Sequence, residues 1–262
     1  MQSLSLFSNH STGDFRKISR KNREEDQKRI LDKRDLNLIN PDNPCQFPEK
    51  AYVINLDERK DRWEKFQSIN AQLFEVFDVQ RISAETGKLP QEAIFNSFLK
   101  VLKIGFDSGY ETIIVMEDDS YLAKGAWDKI KKAFLDLPSD WDILIGNHYF
   151  FGSIEVLTDN LARPIGSAST LNFSIVRNTI LKKIEDQISL RYNGILGDFD
   201  HFITSKEVKT NNFTIWPMVS REYVSHSDHK GCVKNMEIRI REHAYLFPFI
   251  DSNSYYGSLE SW

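Results

Sequence analysis

Three consecutive carboxylates, Glu117, Asp118 and Asp119, follow directly on the apolar run Thr112-Ile113-Ile114-Val115-Met116. Acidic side chains this crowded repel one another, and burying them unpaired is costly. They are tolerable at the exposed carboxyl end of a strand, and better with a divalent cation between them. Magnesium and manganese take hard oxygen ligands, usually one or two carboxylates completed by substrate phosphate oxygens. Glu117 and Asp119 lie two apart on a chain leaving a strand, so the expectation is that both point to one side and Asp118 turns into the fold. Asp119, Glu117 and Asp118 are therefore candidate metal and ligand contacts. The plainer alternative is an acidic turn capping the next helix.

Further groups stand beside them. Asp198-Phe199-Asp200-His201 opens an apolar, helix-like stretch after a glycine-bearing loop. Asp200 falls at that helix start, where the dipole stabilises a carboxylate, and Asp198 suits either catalysis or an N-cap. A carboxylate so placed is a candidate base for deprotonating a hydroxyl. Ser225-His226-Ser227-Asp228-His229-Lys230-Gly231 puts two histidines beside a carboxylate and a lysine. His226 is the candidate there to complete a metal shell. Asp57-Glu58-Arg59-Lys60-Asp61-Arg62 follows a strand, and Arg59 and Arg62 lie three apart on one helix face. They suit a phosphate, or else ion pairs with Glu58 and Asp61. There is no Walker-type glycine loop, no Gly-x-Gly-x-x-Gly and no Gly-x-Ser-x-Gly elbow, which argues against ATPase, dinucleotide oxidoreductase and serine hydrolase chemistry.

These residues need elements to hold them. Ala51 to Leu56 reads as a first strand, and Asp57 as the cap of a helix starting near Glu58, with Trp63, Phe66 and Ile69 on one face. Phe74 to Ile82 reads as a second strand region. Pro90 suits the first turn of a helix carrying Ile94, Phe98, Val101, Leu102 and Phe106. The central strand follows, then a helix marked by Trp127, Ile130, Phe134 and Leu137, and a strand over Trp141 to Gly146. This alternation predicts an α/β fold, a mostly parallel sheet with helices on both faces. Beyond it, Tyr149 to Ser167 reads as loop with short strands, and Leu171 to Val176 as a strand. Asn178 caps a helix with Ile180, Leu181, Ile184 and Ile188, and a late strand covers Phe213 to Pro217.

The chain has 262 residues, 40% of them hydrophobic, enough for a substantial core. A net charge of −4 carries no whole-chain signal for nucleic acid. Its two cysteines, Cys45 and Cys232, lack zinc-ligand spacing and are expected as free thiols. Neither a signal peptide nor a membrane span is evident, and the expectation is a cytoplasmic protein. Residues 1–44 read as a polar, charged arm with a surface helix over 22–36, whose basic lean suits peripheral contact with an anionic membrane or a partner. Asn40-Pro41-Asp42-Asn43-Pro44 breaks the chain. The main domain is placed at 45–250 and an aromatic, polar tail at 251–262.

Val53-Ile54-Asn55-Leu56-Asp57-Glu58-Arg59-Lys60-Asp61-Arg62 resembles the N-terminal signature of glycosyltransferase family 25, which includes lipooligosaccharide galactosyltransferases and is related to the collagen galactosyltransferases. Arg81 to Gly87 is similar to the family's next block, and Ile114 to Asp119 to its Glu-Asp-Asp motif. Asp200 matches a later aspartate, and Pro217 to Asp228 resembles the closing segment. Phe98 stands where the family often has the His of a Ser-His pair, after Ser97. The resemblance implies a GT-A-like, Rossmann-related single domain that transfers a sugar from a nucleotide-diphosphate sugar, a UDP-sugar, to a hydroxyl of a glycan acceptor, with inversion and with Mn2+ or Mg2+. By analogy Asp119 is the principal metal ligand. Glu117 or Asp118 meets ribose or sugar, and Asn55, Leu56, Asp57, Arg59, Arg62 and Arg81 line the nucleotide pocket. Asp200 faces the acceptor. A metal-dependent phosphohydrolase or nucleotidyltransferase, and a non-catalytic carbohydrate- or partner-binding module on a degenerate transferase scaffold, are the competing classes.

Overall fold

The structure, a computed structural model, describes residues 45–87, 89–123, 125–147, 149–169, 171–192, 199–204, 208–222, 225–227 and 232–234. The arm over 1–44, the helix expected over 22–36 and the tail over 251–262 lie outside the described residues.

The regular alternation holds from the first strand onward. β1 (Lys50–Asn55), α1 (Lys60–Ile69) and α2 (Ala71–Val76) lead into β2 (Asp78–Ser83), α3 (Pro90–Asp107) and β3 (Thr112–Glu117). β4 (Ser120–Leu122), α4 (Ala126–Leu135) and β5 (Ile143–Ile145) follow. β6 (Tyr149–Val156) and β7 (Leu161–Ser169) form a hairpin. Then come β8 (Phe173–Arg177), α5 (Thr179–Tyr192), α6 (Phe199–Ile203) and β9 (Asn212–Ile215). Three short strands close the described chain: β10 (Ser220–Glu222), β11 (Ser225–Ser227) and β12 (Cys232–Lys234).

The main sheet has eight strands in the order β2-β1-β3-β8-β5-β9-β7-β6. β1 runs parallel to β2 and β3, and β5 to β9, whereas β8 and β7 run antiparallel to their neighbours. Within this sheet, β8 and β7 oppose the common direction of the other strands. This is the expected mostly parallel α/β architecture, consistent with a GT-A-like domain.

Strand periodicity splits the core across the two faces. Ala51, Val53, Ile114, Met116, Phe173 and Ile175 pack on one face with Phe66 of α1, Leu73 of α2 and Trp127, Ile130 and Phe134 of α4. Tyr52, Ile54, Ile113, Val115 and Val176 pack on the other with Phe95, Phe98 and Val101 of α3, Ile180 and Ile184 of α5 and Phe199 and Phe202 of α6. Both faces are covered, which is why β1 and β3 read as unbroken apolar runs. Asp142 anchors α5 from the start of β5: its buried carboxylate accepts from Thr179 Oγ1 at 2.7 Å and the Asn211 backbone N–H at 2.7 Å, and pairs with Lys183.

Several expected elements differ. Phe74 to Val76 belongs to α2 rather than to a strand, because Leu73 inserts into the core and the helix hydrogen-bonds on to Phe77. The first helix begins at Lys60, and Asp57 does not cap it: its carboxylate accepts instead from Arg81 and Ser83. Tyr149 to Ser167 is a long hairpin rather than loop, with Gly152 opposite Gly166 and Ile154 opposite Pro164. Glycine and proline hide the strand pattern there, and β7 joins the sheet through Leu161 and Ala162 opposite Ile215 and Thr214 of β9. No helix among the described residues is long and apolar enough to cross a membrane.

Candidate active site

The parallel register of β1, β2 and β3 brings their carboxyl ends to one edge. Ile54 lies opposite Glu117, and Asn55 opposite Ser83. The Asp118 backbone N–H donates to the Ile54 carbonyl at 3.1 Å, so the pairing runs one residue past β3 before the chain turns at Asp118 and Asp119. Asn55, nearly fully buried, becomes the hub of that edge. Its Nδ2 donates to Asp118 Oδ2 at 2.6 Å and to the Arg59 carbonyl at 3.1 Å, and its Oδ1 accepts from Arg81 Nε at 2.6 Å. Arg81 Nη2 also donates to Asp57 Oδ1 at 2.6 Å, where Ser83 Oγ joins at 2.7 Å.

The acidic turn is closed from above by α1. Phe66 anchors that helix in the core, and Arg62, one turn earlier on the same face, is thereby held over the carboxyl edge. Its Nη2 lies 2.5 Å from Asp118 Oδ1 and 2.9 Å from Asp119 Oδ2. Only 7% of the Asp118 side chain and 11% of the Asp119 side chain is exposed, so this is a buried ion triad rather than a surface pair. Burial pushes the Asp118 carboxyl up to about 6. Arg62 opposes that rise and Asp119 adds to it. At the rim, hydrogen bonds from Arg81 and then Ser83 hold Asp57 below the usual carboxylate range. Arg59 clasps Asp61 with two bonds of 2.9 Å and lowers it to about 2.

A second wall stands across β8. The Glu117 backbone N–H donates to the Asn172 carbonyl at 3.0 Å, and Ser120 Oγ donates to the same carbonyl. Ser220 Oγ reaches Asn172 Oδ1 at 3.4 Å, and β10 pairs antiparallel with β4 behind it. Gly146 permits this approach, because a Cβ there would sit 2.4 Å from Phe173 Cδ1. Asn172 is fully buried, and its Nδ2 makes no hydrogen bond among the described residues; the same holds for Asn147 Oδ1. Asn172, Asn147, Ser120 and Ser220 are missing from the sequence reading. The only trace of them there is a polar residue at the head of an apolar strand.

The carboxylates fit a divalent cation of one kind. Asp119 Oδ1 is buried and makes no hydrogen bond among the described residues, and the donors are hard oxygens. No group of three or more His, Cys, Asp and Glu side chains is arranged as a metal cage among the described residues. Two carboxylates are nonetheless what Mg2+ or Mn2+ uses when substrate phosphates complete the shell. The turn therefore suits a cation brought with a diphosphate and does not form an all-protein cage.

The structure joins Asn55, Arg62, Asp118 and Asp119 directly, and Asp57 and Arg81 through Asn55. Leu56 continues from β1, its carbonyl accepting from the Arg59 N–H at 3.0 Å. Glu117 is half-buried at the end of β3. Asp200 is half-buried in the first turn of α6, its carbonyl accepting from Thr204. That helix packs on α3 through Phe199 and Phe98, stacked at 4.4 Å. His226 lies on β11, opposite Val233 of β12, in a separate two-stranded sheet. Asp198 and the stretch from Asp228 to Gly231 lie outside the described residues. Ser97 has a local structural role: its Oγ accepts from the Glu85 N–H and donates to the Ala93 carbonyl, fixing the loop after β2.

No family model and no curated protein matches the chain. Among solved structures, it is similar to a glycosyltransferase involved in glycosylation of the major capsid of PBCV-1, at 11% identity and a TM-score of 0.40, over 63% of this chain and 92% of that one. It is also similar to the glycosyltransferase GlyE of Streptococcus pneumoniae TIGR4, at 10% identity and a TM-score of 0.37, over 64% of this chain and 45% of that one. A third is a putative glucose-1-phosphate thymidylyltransferase from Bacillus anthracis, at 11% identity and a TM-score of 0.33, over 65% of this chain and 69% of that one. Likenesses this distant leave the activity to be argued from the site.

Proposed function

We propose that this chain is a glycosyltransferase of the family 25 type, moving a sugar from a nucleotide-diphosphate sugar, a UDP-sugar, to a hydroxyl of a glycan acceptor. The observation that carries the reading is the joined set Asn55–Asp118–Arg62–Asp119 at the carboxyl edge of β1 and β3. In open α/β sheets this edge is where ligands bind. Two buried carboxylates, a guanidinium and an orphan carboxylate oxygen are suited to a diphosphate with its cation, and poorly suited to an apolar ligand.

In this reading Asp119 and Asp118 would hold Mn2+ or Mg2+, and the ion would supply neutralisation of charge on the departing diphosphate. Asn55 fixes the Asp118 carboxylate through one bond and the start of α1 through another. Arg81, tied to both Asn55 and Asp57, keeps the nucleotide side of the edge rigid. Glu117 meets the ribose or the sugar. As the anomeric carbon–oxygen bond to the diphosphate breaks, the acceptor oxygen bonds to that carbon from the opposite face. That opposite-face attack gives inversion, and Asp200 takes the acceptor's proton.

Differential scanning fluorimetry with UDP, GDP, CMP and UDP-sugars, with and without Mn2+, tests this. A ligand selective for the native state raises stability with concentration over its dissociation constant. The expected result is a Mn2+-dependent rise with UDP or a UDP-sugar that is lost in Asp119→Ala. A folded protein that responds to none of them overturns the reading. Pyrophosphate release from a nucleoside triphosphate and a sugar phosphate would reassign the site to nucleotidyl transfer.

A further inference from the structure

Arg62 lies against the place in the acidic turn where a cation would bind, on Asp118 Oδ1 and Asp119 Oδ2. One nitrogen, Nη2, touches both Asp118 and Asp119, and only 12% of the Arg62 side chain is exposed. The two carboxylates and the guanidinium sum to a single negative charge. Asp118 Oδ2 is taken by Asn55, and Asp119 Oδ1 makes no hydrogen bond among the described residues. A divalent cation on this pair would therefore use Asp119 Oδ1 and share Asp118 Oδ1 with Arg62, reversing the sign of the site and setting two cations within a few ångströms of each other. In a partly buried site, screened less than at the surface, that repulsion is strong. Both contacts therefore cannot persist once a cation is bound to these carboxylates.

We infer that Arg62 is an internal counter-ion that a divalent cation must displace, so that metal entry and the release of Arg62 from Asp118 and Asp119 are one coupled event. This rests on the reading of the turn as a metal–diphosphate site. The coupling also has a folding rationale. Two adjacent buried carboxylates repel each other as the sheet edge closes, and Arg62 offsets much of that charge. It also limits metal affinity in the absence of substrate. The freed guanidinium stays on α1, whose position Phe66 fixes. The direct bond from Asn55 to Asp118 keeps that carboxylate aimed after Arg62 leaves.

The test measures Mn2+ binding alone, by electron paramagnetic resonance of free Mn2+, on the full chain without nucleotide. Arg62→Gln removes the charge and keeps a polar side chain. Its expected Mn2+ affinity is higher than wild type by about ten-fold or more. Arg62→Lys keeps the charge as a point ammonium without the planar fork, and is expected to fall between the two. Asp119→Asn should abolish binding in both the wild-type and the Arg62→Gln backgrounds.

Equal or weaker Mn2+ affinity in Arg62→Gln overturns the coupling, as does a failure of both proteins to bind Mn2+. If Arg62→Gln does not fold, Arg62→Ala decides in its place, since unchanged affinity without the guanidinium charge refutes the competition. Tighter Mn2+ binding in Arg62→Gln, with no response to any nucleotide-sugar, would keep the coupling and overturn the transferase reading. Unchanged Mn2+ affinity with a UDP-dependent stabilisation would do the reverse.

Discussion

Asp118 is where two physical effects oppose each other, and Asp118→Asn reads out which wins. Burial raises its carboxyl, and the Arg62 guanidinium 2.5 Å away lowers it. The net position is about 6 against the usual 3.8. Ionising this group therefore costs about 3 kcal/mol more in the folded state than in the unfolded chain at pH 7. The sign follows from linkage. The folded value is raised, so the stability contribution is full below 3.8 and is lost as pH rises through about 6. Between pH 5 and pH 7 the wild type should lose about 1 kcal/mol from this residue alone. The asparagine of the Asp118→Asn variant does not titrate. Comparing the two proteins at both pH values therefore cancels the ionising groups that do not interact with Asp118 and any fixed cost of altered packing. The assay is urea unfolding in the presence of a chelator, with ΔG extrapolated to water. When pH falls from 7 to 5, the wild type is expected to gain about 1 kcal/mol relative to the Asp118→Asn variant, or roughly 2–4 °C in thermal melts. A flat difference, or a loss at pH 5, would show that Arg62 outweighs burial and that the carboxylate is held ionised.

Two further perturbations bear on the supports of the site. Gly146→Ala places a Cβ 2.4 Å from Phe173 Cδ1 and 3.2 Å from Ser220 Oγ, and overpacking of this kind costs about 1–3 kcal/mol. Calorimetry should show a melting temperature lower by roughly 3–10 °C, and a change under about a degree would refute the close approach of β8 and β10 at Gly146. Cys45 is buried, donates its thiol to Glu111 Oε1 at 3.3 Å and is pushed up to about 11, chiefly by burial. Its thiolate at about pH 8 is scarce, and the higher intrinsic nucleophilicity offsets only part of that. Iodoacetamide should label Cys45 about ten-fold or more slowly in the native protein than in urea, read on its own peptide by mass spectrometry; equal rates would refute the buried thiol.

The fold was legible where one periodicity ruled a whole segment. β1 and β3 read as doubly buried strands because alternate residues feed the two halves of the core, and α3 and α4 show unbroken apolar stripes. The hairpin of β6 and β7 was illegible because glycines and Pro164 sit within it, and it joins the sheet only through β9, far along the chain. β4 and β10 were illegible for a related reason: each has three residues, and each exists only because the other pairs with it.

The site was legible in its members and not in its pairing. The acidic triplet stood out because an apolar run ends on it, and the Asn55-to-Arg62 stretch because it follows a strand. Strand alternation, however, argues for Glu117 and Asp119 sharing a side, and that logic ends with β3. From Asp118 the chain turns, and adjacency replaces period two, so that Asp118 and Asp119 face one guanidinium. Nor does local sequence distinguish Arg62 from Arg59. Both are arginines among acidic neighbours, yet Arg59 closes on Asp61 close by in the chain while Arg62 reaches across to the turn after β3. What separates them is that Arg62 lies one turn before Phe66, the residue that docks the helix. A helix pinned by a core side chain carries its polar neighbours on that face to a fixed place, and here that place is the carboxyl edge of the sheet.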